Sequence, residues 1–209
     1  MMWWMLLSLG FAQESEAPVR HEISGCVENV AALPASELFD PADARWKRDD
    51  ILVVLKDRRR TMMFDKGVLA TLDDGTPACW PVGLGAGYPS GHKQQMGDMR
   101  TPEGWYRTSD RPWSMFYHAL TIHYPSAEDA RRGMRDGLIT KERGESIIAA
   151  QERGAMPFME SRLGGKILFH GGGGGSDWTL GCIALDDDNI DAMRARLPKS
   201  MRTWTLILP

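Results

Sequence analysis

The segment 169–185 reads FHGGGGGSDWTLGCIAL and constrains the fold more than any other stretch of the chain. Two short apolar runs, residues 166–169 and 182–185, are typical of buried strands. The glycine-rich loop between them allows the two strand ends to lie side by side, which would bring His170 within reach of Cys182. A thiolate is the nucleophile in cysteine chemistry, and a neighbouring base favours its formation. The segment therefore predicts the minimum machinery for cysteine acyl transfer.

The same loop has other interpretations. His170 followed by three glycines resembles the oxyanion segment of lipases and esterases, but those enzymes also need Gly-x-Ser-x-Gly, which is missing here. A phosphate-binding loop would need Gly-Lys-Ser/Thr at its end, which is missing too. The plain alternative is a flexible connector, with His170 as a core histidine and Cys182 as a buried apolar residue. The segment taken alone leaves that alternative open.

The composition limits the classes of partner. The 209 residues, 43% of them hydrophobic, suffice for one ordinary domain with its own core. Twenty-five basic and 28 acidic residues give a net charge of −3, so we expect no nucleic-acid partner. The five histidines are scattered, and neither Cys-x-x-Cys nor His-Glu-x-x-His occurs, so we expect neither a metal nor a cofactor.

The N-terminus has the pattern of an export signal. Residues 1–9 are apolar except for Ser8, and residues 10–12 supply the small residues of a cleavage site, although no Lys or Arg precedes the run. The run is too short to span a membrane, and no later stretch is long enough. We therefore expect a signal peptide at residues 1–12, a linker and N-terminal extension at residues 13–50, and a periplasmic or exported protein.

Export would also permit a disulfide. If Cys182 is a working thiol, Cys26 and Cys79 remain as a pair that an oxidising compartment could link. The alternative, in which both are small buried hydrophobic residues, fits the sequence equally well.

Strand patterns dominate from residue 51 onward. Turns rich in glycine and charge separate short apolar segments, and few helical segments interrupt them. This order predicts a β-rich α+β fold, a single compact domain over residues 51–209 with attached helices. We expect strands at 51–55, 61–64, 79–84, 105–108, 116–123, 166–169, 182–185 and 203–208, and helices at 127–133, 141–153 and 189–197. Asp40 would cap a short helix from Pro41, and a carboxylate of residues 186–188 would cap the last helix.

Residues 170–185 resemble the active-site signature of the L,D-transpeptidase catalytic (YkuD) family. That signature runs from His-Gly through a loop to Ser/Thr-His-Gly-Cys. His170-Gly171 matches its start, and Thr179, Gly181 and Cys182 match three of its last four positions. Upstream, residues 83–106 resemble the family's strand–loop–strand, and residues 122–126 resemble its Ile-x-Tyr-Pro-Asn segment. The version Trp-Thr-x-Gly-Cys-Ile-Ala is most similar to a subgroup that includes periplasmic enzymes detaching lipoprotein from peptidoglycan.

Three features depart from the family pattern. Leu180 replaces the histidine before Gly-Cys, Ala184 stands where many members carry arginine, and the glycine-rich loop is shorter. The first departure favours His170 as the base. The second removes a charge that would read a substrate carboxylate or orient the loop. We therefore expect either that the donor's carboxylates are held elsewhere, by Lys93 or Arg100, or that its amide carries a larger leaving group such as a protein lysine.

The resemblance implies an L,D-transpeptidase-like β-sandwich or barrel and two-step acyl transfer. His170 would take the Cys182 proton, a thioester would form at an amide that follows diaminopimelate in a peptidoglycan stem peptide, and an amine or water would resolve it. The Gly171 carbonyl would hold the other imidazole nitrogen, with Asp177 as the alternative. N–H groups near Gly181 and Cys182 would bind the oxyanion.

Further predictions concern the substrate cleft. Substrate contacts are predicted at the end of the catalytic loop and in two upstream segments, at His92, Lys93, His123, Tyr124, Trp178 and Thr179. The plain alternatives are an exposed turn for the first two residues, a strand end partly in the core for the next two, and core packing for the tryptophan.

Three functions stay open. The first is a transpeptidase that makes cross-links or attaches proteins to the wall. The second is a hydrolase that cuts such links through the same thioester, and the third is an inactive wall-binding domain. The presence of both His170 and Cys182 favours the first two. The expected partners are peptidoglycan stem peptides and, in addition, wall-linked lipoprotein.

Overall fold

Nine short strands form one sheet in the computed structural model, which describes residues 24–87, 91–111, 114–200 and 202–209. The predicted signal peptide and the first residues of the predicted extension lie outside these ranges. The strands are β1 (Ile51–Leu55), β2 (Arg60–Asp65), β3 (Val68–Leu69), β4 (Cys79–Pro81), β5 (Gly104–Arg111), β6 (Ala119–Ile122), β7 (Leu168–His170), β8 (Ile183–Ala184) and β9 (Thr203–Leu208). The helices are α1 (Ala127–Arg135), α2 (Lys141–Glu152) and α3 (Asp187–Arg196), with short 3₁₀ helices at Val30–Ala32 and Ala44–Lys47.

The strand order gives the sheet a strong curl. It runs β3-β2-β1-β9-β5-β6-β7-β8, with β4 paired to β2. The pairs β1–β9 and β7–β8 are parallel, and the other pairs are antiparallel. A bridge between Gly83 and Ala184 joins β8 to the chain that leaves β4. The sheet therefore turns back on itself as a half-barrel, and the predicted β-rich α+β fold with attached helices is confirmed.

Both faces of the sheet are covered, which explains the uninterrupted apolar run of β1. Its alternate residues enter two different cores. Leu52 and Val54 point into the interior of the curl, whereas Ile51 and Val53 point to the outer face. There the N-terminal extension contributes the buried ring of Trp46. The outer core therefore depends on residues that precede β1.

A disulfide between Cys26 and Cys79 fastens the extension to β4. The two Cα atoms are 6.3 Å apart, and 53 positions separate the residues in the sequence. The structure thus decides between the two interpretations of these cysteines in favour of the disulfide, and it leaves Cys182 as a free thiol.

Helices α1 and α2 pack against each other beside the sheet. Helix α1 begins with a capping box in which the Ser126 hydroxyl accepts from the Asp129 N–H and the Asp129 carboxylate accepts from the Ser126 N–H. Ala130, Ile147 and Leu163 form a small core between the two helices and the following loop. Within the described ranges, none of the helices has the length and apolar character needed to cross a membrane.

Four predicted strands are shorter than expected: those at 166–169 and 182–185 differ by one or two residues, and two others differ more. The strand expected at 116–123 is confined to β6, because Tyr117 has a φ of +65°, outside the strand region. The strand expected at 79–84 ends at Pro81, after which Gly83 pairs with the active-site segment instead.

Two predicted helix caps are wrong. The 3₁₀ helix near residue 44 is capped by Asp43 rather than Asp40, because the Asp43 carboxylate accepts from the Arg45 N–H at 2.8 Å. Asp186 precedes α3 but makes no capping hydrogen bond. Its carboxylate instead accepts from the Gly174 N–H at 3.0 Å, so it holds the glycine-rich loop.

Candidate active site

His170 ends β7 and is almost fully buried. Its Nδ1–H donates to the carbonyl of Gly171 over 2.6 Å, which fixes the tautomer with the proton on Nδ1. Nε2 is therefore the unprotonated nitrogen that can accept a proton. Asp177, the alternative partner from the sequence, is instead held by Arg59 at 2.7 Å. The imidazole is thus oriented by a backbone carbonyl.

Two aromatic rings cover the imidazole of His170. The Phe116 ring lies 4.8 Å from it at an interplanar angle of 31°, and the Trp178 ring packs edge-on at 5.6 Å. The Trp178 Nε1–H donates to the Gly173 carbonyl at 3.0 Å, which holds the indole in place. Burial lowers the pKa of His170, and the hydrogen bond to Gly171 offsets this only in part. His170 is therefore neutral at pH 7.

Cys182 lies immediately before β8, beside β7. In the parallel register His170 is opposite Ala184, so Cys182 lies opposite Leu168, on the sheet face to which His170 points. The thiol donates to the Lys166 carbonyl at 3.7 Å, and no hydrogen bond joins the thiol and the imidazole, both of which the structure describes. Contacts of this kind commonly tighten only when substrate binds.

The electrostatics of the site favour a neutral thiol. Burial raises the pKa of Cys182 above its usual value. The backbone N–H of Leu168 and the charges of Lys93 and Arg111 act in the opposite direction without outweighing burial. Because the pKa of His170 is lowered while that of the thiol is raised, the resting pair is a neutral thiol and a neutral imidazole. Both shifts thus act against a preformed thiolate in the resting site.

Thr179 holds the turn that carries the thiol. Its hydroxyl donates to the Cys182 carbonyl at 2.8 Å and accepts from the Gly181 N–H at 3.1 Å. Gly181 has a φ of +126°, and a Cβ at this position would lie 2.6 Å from the Arg100 carbonyl oxygen, so only glycine fits. Because Thr179 already occupies the Gly181 N–H, the donor left for an oxyanion is the Cys182 N–H, which has no acceptor among the described residues.

The glycine-rich loop is held by the start of α3. The Gly172 N–H donates to Asp187 at 2.8 Å, and the Gly174 N–H donates to Asp186 at 3.0 Å. A Cβ on the buried Gly171 would lie 2.3 Å from the Asp187 carboxylate. These contacts fix the loop, so it is not the flexible connector that the plain alternative required.

His123 and Tyr124, predicted to contact substrate, lie in the core. The His123 ring is buried, and its Nε2 is 2.8 Å from the Ser109 hydroxyl. Burial lowers its pKa to about 4. Tyr124 is fully buried, and its hydroxyl donates to the Leu163 carbonyl at 3.1 Å. The plain structural alternative therefore describes the position of both residues.

His92 and Lys93 anchor the loop on which they lie. His92 accepts at Nδ1 from the Glu103 N–H at 2.9 Å and donates from Nε2 to Asp129 at 2.6 Å. The Lys93 side chain is only 3% exposed and forms an ion pair of 2.7 Å with Asp98. Both side chains are thus engaged within the protein, and Lys93 affects the Cys182 thiol through its charge.

Trp178 and Thr179 are the predicted substrate-site residues that the structure does bring to the pair. Trp178 packs against the imidazole, and Thr179 is hydrogen-bonded to the Cys182 carbonyl. Phe116 and Arg111 were not predicted. Phe116 covers His170 although it is 42% exposed, and an aromatic run in a loop was the available signal for it. Nothing in the sequence marked Arg111.

The geometry defines a class of protein. It is a half-barrel domain with a cysteine thiol and a carbonyl-oriented histidine on one face of two adjacent strands. Across the described ranges, no group of three His, Cys, Asp or Glu side chains is placed to hold a metal ion.

Comparison with protein families identifies this class more closely. The model of the L,D-transpeptidase catalytic domain (YkuD) matches residues 48–204, which is most of the chain. The chain therefore belongs to the L,D-transpeptidase catalytic domain family. A comparison with curated proteins gives no match.

Several solved structures are similar. A point mutant of the helical cell shape determining protein Pgp2 from Campylobacter jejuni has 18% identity and a TM-score of 0.49, covering 77% of this chain and 47% of that one. Bd1075 from Bdellovibrio bacteriovorus has 19% identity and a TM-score of 0.44, with 79% and 50% covered. An L,D-transpeptidase from Xylanimonas cellulosilytica has 11% identity and a TM-score of 0.41, with 81% and 65% covered. The chain spans about half the length of the first two.

Proposed function

We propose that the protein is a cysteine acyl-transfer enzyme that acts on peptidoglycan stem peptides through a thioester on Cys182. The observation that carries the proposal is the hydrogen bond from His170 Nδ1 to the Gly171 carbonyl, at 2.6 Å. It leaves Nε2 as a proton acceptor on the sheet face shared with the thiol. Membership of the L,D-transpeptidase catalytic domain family supports peptidoglycan as the substrate.

The first half-reaction uses the neutral pair. Nε2 of His170 takes the thiol proton while Sγ of Cys182 attacks the carbonyl carbon of the amide after diaminopimelate. The Cys182 N–H donates to the oxyanion that forms. His170 then returns the proton to the leaving amine, the C–N bond breaks, and the acyl group remains on sulfur. The aromatic cover of Phe116 and Trp178 supports this sequence of steps, because it keeps the imidazole neutral beforehand.

The second half-reaction decides between transfer and hydrolysis. An acceptor amine that gives its proton to Nε2 yields a new amide, whereas water yields a free carboxylate. One observation favours hydrolysis or exchange of protein–peptidoglycan links as the second candidate. Leu180, two positions before the thiol, is 75% exposed, and the uncharged Ala184 is buried. An exposed apolar side chain near the thiol, with no charge at residue 184, suits a polypeptide leaving group, such as the lysine-bearing segment of a wall-linked lipoprotein.

We place the reaction outside the cytoplasm, in the periplasm or an equivalent exported compartment. The disulfide between Cys26 and Cys79 supports this location, since disulfides form and persist in oxidising compartments. The family's cell-wall substrate points to the same place.

The test is mass spectrometry of purified muropeptides incubated with the protein. We expect either new dimers, which mean transfer, or shortened or freed peptides, which mean hydrolysis. Cys182→Ala should abolish both, and His170→Ala should slow thioester formation by about 10²–10⁴-fold. The exposed His118, whose ring pairs with Asp191, offers a matched control as His118→Ala. Full turnover by Cys182→Ala would end the thioester account, and binding without any turnover by the unaltered protein would favour the inactive wall-binding domain.

A further inference from the structure

A cavity of about 210 Å³ lies beside the catalytic segment. Its floor is the glycine-containing stretch 84–87, and its walls include Thr101 and Asp177. Three basic side chains, Lys56, Arg59 and Arg100, also line it. Neither the thiol nor the imidazole belongs to the lining, so the cavity is a neighbour of the reacting pair.

The cavity shares a backbone wall with the catalytic turn. Gly85 pairs with Thr179 through a parallel bridge, and a Cβ on Gly85 would lie 3.0 Å from the Gly181 Cα. On the opposite side, the Arg100 carbonyl would lie 2.6 Å from a Cβ on Gly181. The cavity therefore borders Gly181, the residue that directly precedes the nucleophile Cys182.

The charges around the cavity do not balance. Lys56 is buried and donates to Glu103 at 2.6 Å, and Arg59 forms an ion pair of 2.7 Å with Asp177. Arg100 is half-buried, and no carboxylate of the described residues lies within ion-pair distance of its guanidinium. Of the three basic residues that line the cavity, Arg100 is therefore the one without a carboxylate partner among the described residues. Burial lowers the pKa of Lys56, and the charge of Arg100 adds to that effect.

The unpaired positive charge of Arg100 favours an anionic ligand. A partly desolvated guanidinium is stabilised by an anion that accepts two parallel hydrogen bonds, and a carboxylate has the matching geometry. The volume of about 210 Å³ leaves room for a carboxylate and the few atoms around it. The cavity is too small for a whole stem peptide.

We propose that this cavity is a carboxylate subsite, with Arg100 as its main ligand, that holds a free carboxylate of the donor peptide while the neighbouring amide reacts with Cys182. The subsite deepens the proposed function and rests on it for the identity of the donor.

The experiment measures binding in the absence of turnover. Cys182→Ala protein is titrated by calorimetry with three probes: a stem tetrapeptide with free carboxylates, the same peptide amidated at its C-terminus, and the same peptide amidated at the diaminopimelate side-chain carboxylate. We expect one amidated probe to bind about 10–100-fold more weakly than the free peptide, the usual range for losing a charge-assisted contact. Arg100→Gln should reduce that difference to less than about twofold.

Two further variants keep the result interpretable. Arg58→Gln changes an exposed arginine of the same region that does not line the cavity, and it should retain the full preference. Arg100→Lys keeps the charge without the planar fork, and it should retain part of the preference. The inference is overturned if Arg100→Gln keeps the preference, if both amidated probes bind as tightly as the free peptide, or if no probe binds detectably.

The outcome is separable from that of the proposed function. If the unaltered protein leaves muropeptides intact, yet the preference for a free carboxylate still depends on Arg100, the subsite stands and acyl transfer falls. If muropeptides are turned over and the preference is unaffected by Arg100→Gln, acyl transfer stands and the subsite falls.

Discussion

Replacing Thr179 with valine tests how the catalytic turn is held. Valine keeps the branched shape but removes the hydroxyl, and with it the hydrogen bonds to the Cys182 carbonyl at 2.8 Å and from the Gly181 N–H at 3.1 Å. Each such bond contributes about 1 kcal/mol net, so about 2 kcal/mol is lost. If the turn must keep its geometry in the transition state, that loss corresponds to about a 30-fold lower kcat/KM.

The same change should also lower stability. The Gly181 N–H is buried, and leaving it without an acceptor costs about 1–3 kcal/mol. Urea denaturation measures the loss in the free energy of unfolding. Turnover of a stem tetrapeptide by the folded variant measures the loss in kcat/KM. Thr179→Ser restores the hydroxyl and should stay within about threefold of the unaltered protein. Equal kcat/KM for the valine and serine variants, both folded, would refute the reasoning.

Three other predictions concern the disulfide, a core histidine and the aromatic cover. Changing Cys26 and Cys79 together to alanine should lower the free energy of unfolding by about 4 kcal/mol, the chain-entropy value for a separation of 53 residues; a loss below about 1 kcal/mol in urea denaturation would contradict it. His123 has a folded pKa of about 4 against 6.5 in the unfolded chain, so stability is complete above pH 6.5 and falls by up to about 3 kcal/mol as the pH drops towards 4. His123→Gln should remove that portion of the pH dependence, and an unchanged dependence in denaturant unfolding would count against it. Phe116→Ala uncovers His170, whose pKa is lowered by burial, so that pKa should rise and the acid limb of the kcat/KM profile should move to higher pH. An unchanged acid limb would show that Phe116 does not desolvate the imidazole.

The sequence predicted well those features that depend on contiguous residues. The strands at 51–55 and 203–208 have the predicted bounds. The first is an uninterrupted apolar run that is buried on both faces, and the second is a β-branched and apolar segment of similar length that is almost wholly buried. The hydrogen bond from His170 Nδ1 to the Gly171 carbonyl joins two adjacent residues, so it too depends only on contiguous sequence. The curl of the sheet, by contrast, depends on the pairing of Gly83 with Ala184 across about a hundred residues, which no local pattern signals.

Local sequence patterns also fail to identify residues that reach the site from distant positions in the chain. Phe116 covers His170 because the loop before β6 folds over β7. Likewise, Arg100 lines the cavity because its backbone packs directly against Gly181, about 80 residues further along the chain. Tyr124 shows the converse error. Its segment resembles a functional one, but the direction of its side chain is set by the strand that precedes it and points into the core. The motif in the sequence therefore identified the segment, but it did not show in which direction the Tyr124 side chain points.

The neutral resting pair is consistent with a free thiol in an oxidising compartment. Thiol–disulfide exchange and oxidation both proceed through the thiolate, so a raised pKa of Cys182 slows these side reactions at neutral pH. A preformed thiolate would also be an attacker of the disulfide between Cys26 and Cys79 in other copies of the chain. Because His170 is kept neutral by its aromatic cover, it can form the thiolate at the moment when a bound amide can use it. In the proposed mechanism, the same burial keeps the thiol protonated at rest, and the thiolate forms only when a substrate amide is bound.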